Sequence, residues 1–483
     1  AVIETDGHSG DAGTKTRVEA FLHCAREHLG GGRRRPPRPA DRLTVHSRGI
    51  RDLIASGDQV LVPSMGPASE VLAGALRGVG TRAELLPEPG PSALAAGRRH
   101  TSGKECLPMI LTLGSLLERL EQPRGRGGRF AFFMPGTDGP CRFGAYKEVH
   151  QLVLDRLGLG ERVSIWSPPF GDYFQGIPPG LGAIVLAGAC ATDLLRDMHH
   201  DLRPREARPG AADTLHARHQ ARLVALVERE AAGDLSVRRV LREAITGRLW
   251  GIPALLAEAA PRFAAASTGA ALPLVAVVGE IYLRNVPFSN GFVVDALARR
   301  GLRARVAAVT EFLQYSSWVG ARLRRRTLGE RLDDWVRRRI ERCCHAAVAP
   351  VLGWPDGPPV ADVVRSAHPY LRDALEGETV LTLGASLHAW RLREVDAVLS
   401  VGPLECMPNK IAETQLVHAG ESEGLLSLTL SLNGDPIDPE PLDAFAFQVH
   451  ARFRPPPGPP APRPAAPGPE PAGAALRPGE AAS

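Results

Sequence analysis

The chain has very little lysine and no long apolar segment. Four of its 58 basic residues are lysine, so arginine fills nearly every other basic position. No apolar run approaches the ~20 residues that a membrane-spanning helix needs, which predicts that a membrane is not a partner. The first residues, AVIETDGHSG, contain neither the basic flank nor the apolar core of a signal peptide, which favours a cytoplasmic location. The missing initiator Met is consistent with a processed or excised piece of a longer protein.

Cysteine is scarce as well. Seven cysteines are an odd number spread thinly over 483 residues, which argues against the disulfide framework of a small secreted protein. We interpret them as reduced thiols or metal ligands. The net charge of +5 is too small to indicate nucleic acid as a partner, and we interpret the arginine-rich stretch 321–344 as one helix with a solvated face.

The hydrophobic pattern predicts an α/β fold with two or more Rossmann-like or flavodoxin-like parallel-sheet lobes. Buried strands are indicated by QVLVPSM, RFAFFMP, SIWSPPF, LGAIVLAG, LPLVAVVG, RARVAAV and DAVLSVGP, with helical patterns between them. We divide the chain into an N-terminal helix and linker (1–40), a first α/β lobe with a helical connector (41–268), a second α/β lobe (269–453) and a disordered Pro-rich tail (454–483).

Three cysteines each lie in a Gly/Pro-containing segment with a lysine close by. They are Cys106 in GKECLPM, Cys141 in GPCRFGAYK and Cys406 in ECMPNK. Glycine and proline suit tight loops around a bulky inorganic group, and a nearby lysine is expected to lower a thiol's pKa. The pattern therefore predicts iron-sulfur ligation, although buried cysteines can also simply fill space in turns.

The positions of these cysteines support a shared site. Cys106 and Cys141 are predicted to lie in strand-to-helix loops and Cys406 in a loop after a strand. Open α/β sheets bind ligands at the carboxyl ends of their strands, so we expect the three sulfurs to converge. The other four, Cys24, Cys190, Cys343 and Cys344, lack the Gly/Pro context and are predicted not to be ligands.

A polar loop follows the predicted strand that ends near Val278. Arg284 is a candidate for gripping an anionic part of a CoA ester, and Glu280 is a candidate for moving a proton. The alternative is an internal Glu280–Arg284 ion pair that fixes the loop. The substrate-binding interpretation and the structural one both remain open at this point.

Taken in order, these motifs resemble the family of 2-hydroxyacyl-CoA dehydratases and their activases, and within it the activase-associated region of very large proteins. The resemblance covers roughly residues 1–450. It is carried by SGKECLP (Ser102 to Pro108), FFMPGTDGPCRFGAYK (Phe132 to Lys147), VGEIYLRNVPFSN (Val278 to Asn290) and CMP (Cys406 to Pro408).

The resemblance implies that Cys106, Cys141 and Cys406 hold a 4Fe-4S cluster with one iron open. It also implies a partner activase that uses ATP to deliver a low-potential electron, which passes through the cluster to a CoA thioester so that an unactivated hydroxyl can leave. The chain has no nucleotide-binding signature of its own, so ATP would act only through a separate activase. A homologous cluster-bearing subunit or a second copy of this chain is a further expected partner.

The expected function is therefore that of a cluster-binding component, either a dehydratase-like lyase or an electron-transfer protein. The first alternative is a non-catalytic scaffold or regulatory module that binds a cluster or acyl-CoA without turnover. A third interpretation, a Rossmann-like binding domain without metal, requires the three cysteine motifs to be coincidental.

Overall fold

The computed structural model describes residues 49–123, 127–137, 141–167, 178–323, 327–372 and 377–455, together with positions 18, 21, 22, 26 and 375. Cys24, most of the predicted N-terminal helix and linker, and all but the first two residues of the predicted Pro-rich tail lie outside the described residues.

The first lobe is a four-stranded parallel sheet with the order β2-β1-β3-β4. All four residues of the inner strand β3 are buried, as is typical of a parallel sheet covered on both faces. The elements are α1 (Ile50–Ser56), β1 (Gln59–Val62), α2 (Ala68–Gly78), β2 (Arg82–Leu85), α3 (Pro91–Arg98), α4 (Leu107–Glu121), β3 (Phe130–Phe133), a 3₁₀ turn (Arg142–Ala145), α5 (Tyr146–Arg156) and β4 (Val163–Trp166).

A helical connector closes the first lobe, as predicted, but it includes a segment that was expected to be a strand. The segment LGAIVLAG, which we interpreted as a strand, lies inside a long helix. A short apolar run does not distinguish a buried strand from a buried helix, and the helix begins at a proline, which is favoured in the first turn. The connector helices are α6 (Pro179–Leu202), α7 (Ala211–Ala231), α8 (Val237–Thr246) and α9 (Ile252–Ala265).

The second lobe repeats the arrangement of the first, with four parallel strands in the order β6-β5-β7-β8. The predicted fold class is thus confirmed. The elements are β5 (Leu274–Gly279), α10 (Ile281–Asn285), α11 (Val293–Arg299), β6 (Arg303–Val306), α12 (Thr310–Leu323), α13 (Leu328–Ala346), α14 (Ala349–Leu352), α15 (Val360–Ala367), α16 (Glu378–Arg391), β7 (Ala397–Pro403), α17 (Met407–Glu423), β8 (Ser427–Leu432) and α18 (Pro439–Arg452).

The arginine-rich stretch forms parts of two helices rather than one. Thr327 caps α13: its hydroxyl accepts a hydrogen bond from the backbone N–H of Glu330, and the Glu330 carboxylate accepts one from the Thr327 N–H. This capping box satisfies otherwise unpaired donors and so starts a new helix. Within the described residues, no helix is long and apolar enough to cross a membrane.

A helix of each lobe packs into the hydrophobic core of the other lobe, across the predicted boundary at residue 268. Leu107 and Leu111 of α4 belong to the hydrophobic core around the second sheet. In the opposite direction, Ile340 and Cys344 of α13 pack into the core of the first lobe and the connector. Arg196 of α6 adds polar contacts by donating to the Val306 carbonyl at 2.7 Å. The lobes therefore share their cores.

Candidate functional site

Each of the three predicted cysteine ligands lies at the start of a helix. Cys106 is the N-terminal cap of α4, Cys406 is that of α17, and Cys141 caps the 3₁₀ turn that leads into α5. All three have extended backbone at the cap, and the Cys141 sulfur accepts a hydrogen bond from the Phe143 N–H at 3.5 Å. Unpaired backbone donors at such positions stabilise a negatively charged group.

The routes to these caps differ from the prediction in two details. Helix α3 stands between β2 and Cys106, so this cysteine does not follow a strand directly. Helix α17 starts at Met407, so Cys406 caps this helix instead of lying in a loop. Pro408 is compatible with this start, because proline is tolerated in the first turn of a helix.

All three cysteines line one cavity of about 920 Å³ between the lobes. In each sheet the strand order reverses next to the first strand of the lobe, and this topological switch point is where α/β ligands bind. Cys141 follows β3 of the first sheet, and Cys406 follows β7 of the second. The structure thus brings together sulfurs that lie far apart in the chain.

The pKa values of the three thiols are raised, whereas the nearby lysines led us to expect lowered values. Burial raises the pKa of Cys106 and Cys406, and the Glu280 carboxylate raises both further. Burial also raises the pKa of Cys141, to about 11, against the lowering effect of the Phe143 N–H. The expectation that lysines activate these thiols is wrong, because burial outweighs any charge nearby.

Two of the three lysines near the cysteines are engaged elsewhere. Lys147 pairs with Glu148 at 3.7 Å, and Lys410 pairs with Glu413 at 2.8 Å. Each lysine lies within a few residues of a cysteine in the sequence, but this spacing does not determine the direction of the lysine side chain.

Glu280 is brought to the cavity by an unusual backbone at Gly279. This glycine has a φ of +109°, and a Cβ there would lie 2.1 Å from the Val401 carbonyl oxygen. The close approach lets the Glu280 N–H donate to that carbonyl at 2.9 Å. The Glu280 carboxylate then caps α10 by accepting from the Leu283 N–H at 2.8 Å.

Arg284 does not face the cavity. Its guanidinium is fully buried (0% exposed) and pairs with Glu311 at 2.8 Å rather than with Glu280. It also donates to the carbonyls of Gly279 and Ala308, at 3.0 and 2.9 Å. The charge that was a candidate for gripping CoA therefore fixes the loop after β5, although with a different partner from the one considered in the sequence.

Sequence reasoning missed Glu378, a second carboxylate at the cavity. It occupies the first position of α16 after Gly377, and this acidic residue at a helix start was the available signal. Burial, together with the neighbouring Glu280, raises the pKa of Glu378 to about 8. Its Oε1 atom is buried and has no hydrogen-bond partner among the described residues.

Two tyrosines complete the polar end of the cavity. The Tyr146 hydroxyl hydrogen-bonds to the Cys106 sulfur, which lowers the pKa of that thiol. The Tyr282 hydroxyl is buried and lacks a partner within the described part of the chain. Both side chains line the cavity. The site therefore combines three thiols, two carboxyl groups and a phenol with unused hydrogen-bonding capacity.

Nothing in the described ranges forms a group of three or more His, Cys, Asp or Glu side chains that could hold a single metal ion. Three thiols and the unpartnered Glu378 oxygen nevertheless line one cavity, and thiolates are the usual ligands of iron-sulfur clusters.

The remaining described cysteines lie elsewhere. Cys190 and Cys344 are buried in the core of the connector, and Cys343 is partly buried beside Cys344 on α13; the cavity walls include none of the three. No protein-family model matches the chain, and a search of curated proteins finds no significant match.

Proposed function

We propose that Cys106, Cys141 and Cys406 hold a 4Fe-4S cluster in a component of a 2-hydroxyacyl-CoA dehydratase-like system. One observation carries the proposal: three cysteines at helix starts, contributed by both lobes, face the same cavity. A bound cluster would supply a low-potential electron, and three protein ligands would leave one iron available for a further ligand.

The surrounding groups have roles of their own in this proposal. A coordinating thiol is deprotonated by its metal, so the raised thiol pKa values mean that ligation releases protons. Glu378, with a pKa of about 8, can hold a proton near neutral pH and give it to a departing hydroxyl. The Tyr282 hydroxyl can donate a hydrogen bond to a carbonyl oxygen of the substrate.

The proposed partners follow from the same chemistry. The electron would come from a separate ATP-dependent activase, because the sequence contains no nucleotide-binding signature. A homologous cluster-bearing subunit or a second copy of this chain would complete the enzyme, and an acyl-CoA would be the substrate. We place this system in the cytoplasm.

Anaerobic reconstitution with iron and sulfide tests the cluster directly. We expect iron and acid-labile sulfide near the 4Fe-4S composition, and their loss in the separate variants Cys106→Ser, Cys141→Ser and Cys406→Ser. The matched controls are Cys190→Ser and Cys344→Ser, because these residues are at least as buried as the three site cysteines but lie outside the cavity. Iron retained by all three site variants, or lost in the controls alone, would overturn the ligand assignment.

The alternative is a scaffold or regulatory module that binds a cluster or acyl-CoA without turnover. The buried state of Arg284 favours it, since the sequence's one candidate for gripping CoA is committed to the protein interior. Single-turnover assays on the reduced, cluster-loaded chain separate the two functions. Product formed from a 2-hydroxyacyl-CoA supports the enzyme, whereas binding without product supports the scaffold.

A further inference from the structure

The cavity extends beyond the cysteines into an apolar region between helices. Its walls there come from α2, α6, α8, α12 and α13, with Leu72, Ala183, Leu186, Val240, Leu313 and Ile340 among them. These side chains belong to the hydrophobic core of the connector, whereas Cys106 belongs to a different cluster under the first sheet. The cavity therefore has a polar end at the thiols and a separate apolar part.

The size of the cavity exceeds what a cluster alone would fill. At ~30 Å³ for each water-sized group, about 920 Å³ holds roughly thirty non-hydrogen atoms. The eight inorganic atoms of a cubane would occupy a minor share of that space. The remainder, roughly twenty atoms, is enough for an acyl chain with its head group.

Among the described residues, the apolar part reaches the surface at Val237 of α8 and Leu332 of α13. Both side chains line the cavity, and they are 49% and 41% exposed. Asp333 and Arg337 line the cavity next to Leu332 on α13 and pair with each other at 2.7 Å. The charges on this side thus neutralise each other, and the wall of the opening is otherwise apolar.

The polar end disfavours an anionic head group. Glu280 and Glu378 already place two carboxyl groups beside the thiols. Arg337 is the one basic side chain among the described residues that line the cavity, and it pairs with Asp333 on α13, so a free carboxylate at the thiols would have no cationic partner. The unpartnered Tyr282 hydroxyl instead offers a hydrogen bond to an uncharged carbonyl oxygen.

We propose that this cavity binds the apolar chain of a medium- or long-chain acyl thioester. The chain lies along α6, α8 and α13, and the uncharged carbonyl end points toward Tyr282 and the thiols. The inference names a substrate class for the proposed function, and the orientation of the carbonyl rests on that function. The binding of the chain rests on the cavity alone.

Calorimetric titration of the full, cluster-free chain tests the chain binding. The probes are the butanoyl, hexanoyl, octanoyl and dodecanoyl thioesters of N-acetylcysteamine. Affinity is expected to rise roughly tenfold for each added pair of methylene groups, with a negative heat-capacity change. Octanoate and laurate are expected to bind more weakly than the matching thioesters. A flat chain-length series would overturn the proposal, and tighter binding of the carboxylates would overturn its uncharged head group.

A substitution that fills the cavity makes the test specific. Ala183→Phe places a ring in the apolar part, so the dodecanoyl thioester should bind no better than the butanoyl one. Ala217→Phe is the matched control, because Ala217 is exposed on α7. Val240→Trp serves as an independent second filling variant should Ala183→Phe unfold. A chain-length gradient that survives in the folded filling variants would contradict the site. Because no cluster is present, a failure of iron binding leaves this result unaffected.

Discussion

Arg284 illustrates how one side chain can hold a loop in place from inside the protein. Its guanidinium contacts two backbone carbonyls and Glu311, and no part of it reaches solvent. The sequence showed the charge and its place after a strand, but not the direction of the side chain. Glu311 comes from α12, well beyond the loop, so no local pattern identified the pair.

Arg284→Ala is expected to lower the free energy of unfolding by about 3 kcal/mol, because it leaves Glu311 partly buried without its partner. Adding Glu311→Gln should restore part of the loss. Urea denaturation measures both values. Arg365→Ala, which removes an exposed pair with Asp362, serves as the control and should cost below about 1 kcal/mol. Equal losses at the two arginines would show that burial does not decide the effect.

Gly279 is required for two reasons that can be separated experimentally. We expect Gly279→Ala to destabilise the protein by about 2 kcal/mol or more, because it adds a clash with Val401 to an unfavourable positive φ. Gly57 has a φ of +66° with open space around it, so Gly57→Ala measures the backbone conformation alone. Denaturation curves in which both variants lose the same amount would rule out the close approach as a cause.

At the scale of elements, the site residues that could be predicted were those at helix starts with a clear sequence signal. Proline stands two residues after both Cys106 and Cys406 and favours the first turn of α4 and α17. Only the helix start at Cys106 was predicted, whereas Cys406 was expected to lie in a loop. Glu378 was missed because its helix follows a glycine without a preceding strand. The run LGAIVLAG was wrongly predicted as a strand because a short apolar run does not distinguish a buried strand from a segment of a buried helix.

Helix α5 provides a pH-dependent contribution to stability. Burial lowers the pKa of His150 from 6.5 to about 4, and its Nε2 atom lies 3.3 Å from the Met109 carbonyl oxygen. As pH falls, the unfolded chain therefore takes up a proton before the folded chain does. The resulting stability is complete above about pH 6.5 and is lost as pH falls toward about 4.

In His150→Leu, the free energy of unfolding should fall less between pH 7 and pH 4 than in the wild type. Between pH 7 and pH 4, the free energy of unfolding of the wild type is expected to fall by roughly 2–3 kcal/mol more than that of the variant. Urea denaturation across the pH series measures it, and other titrating groups are common to both proteins. Identical slopes would mean that His150 does not contribute to acid sensitivity.

At the scale of the whole molecule, the two parallel sheets were predictable and their joining was not. Strand β3 is a continuous apolar run, and β1 and β7 are apolar apart from single polar residues, so the sequence indicates buried strands plainly. The packing of α4 against the second lobe and of α13 against the first depends on which apolar faces meet. An amphipathic pattern shows that a face is buried without showing its partner.

Shared cores predict cooperative unfolding. Urea denaturation followed by far-UV and near-UV circular dichroism should give one coincident transition for the apo protein, because neither lobe keeps a complete core without the other. Ile340→Ala should shift both signals together, since this side chain of α13 packs into the first lobe. Two resolved transitions would show that the lobes are independent.

The packing of α4 and α13 into the opposite lobes also affects how a ligand enters and leaves the cavity. Many two-lobed binding proteins admit a ligand by swinging their halves apart about a hinge. Here such a swing would pull Leu111 and Ile340 out of the opposite cores, so it would cost much of the folding energy. Ligands are therefore expected to enter and leave without separation of the lobes, through the opening beside the partly exposed Val237 and Leu332. The speed of exchange should then depend on side-chain motions at that opening rather than on domain movement.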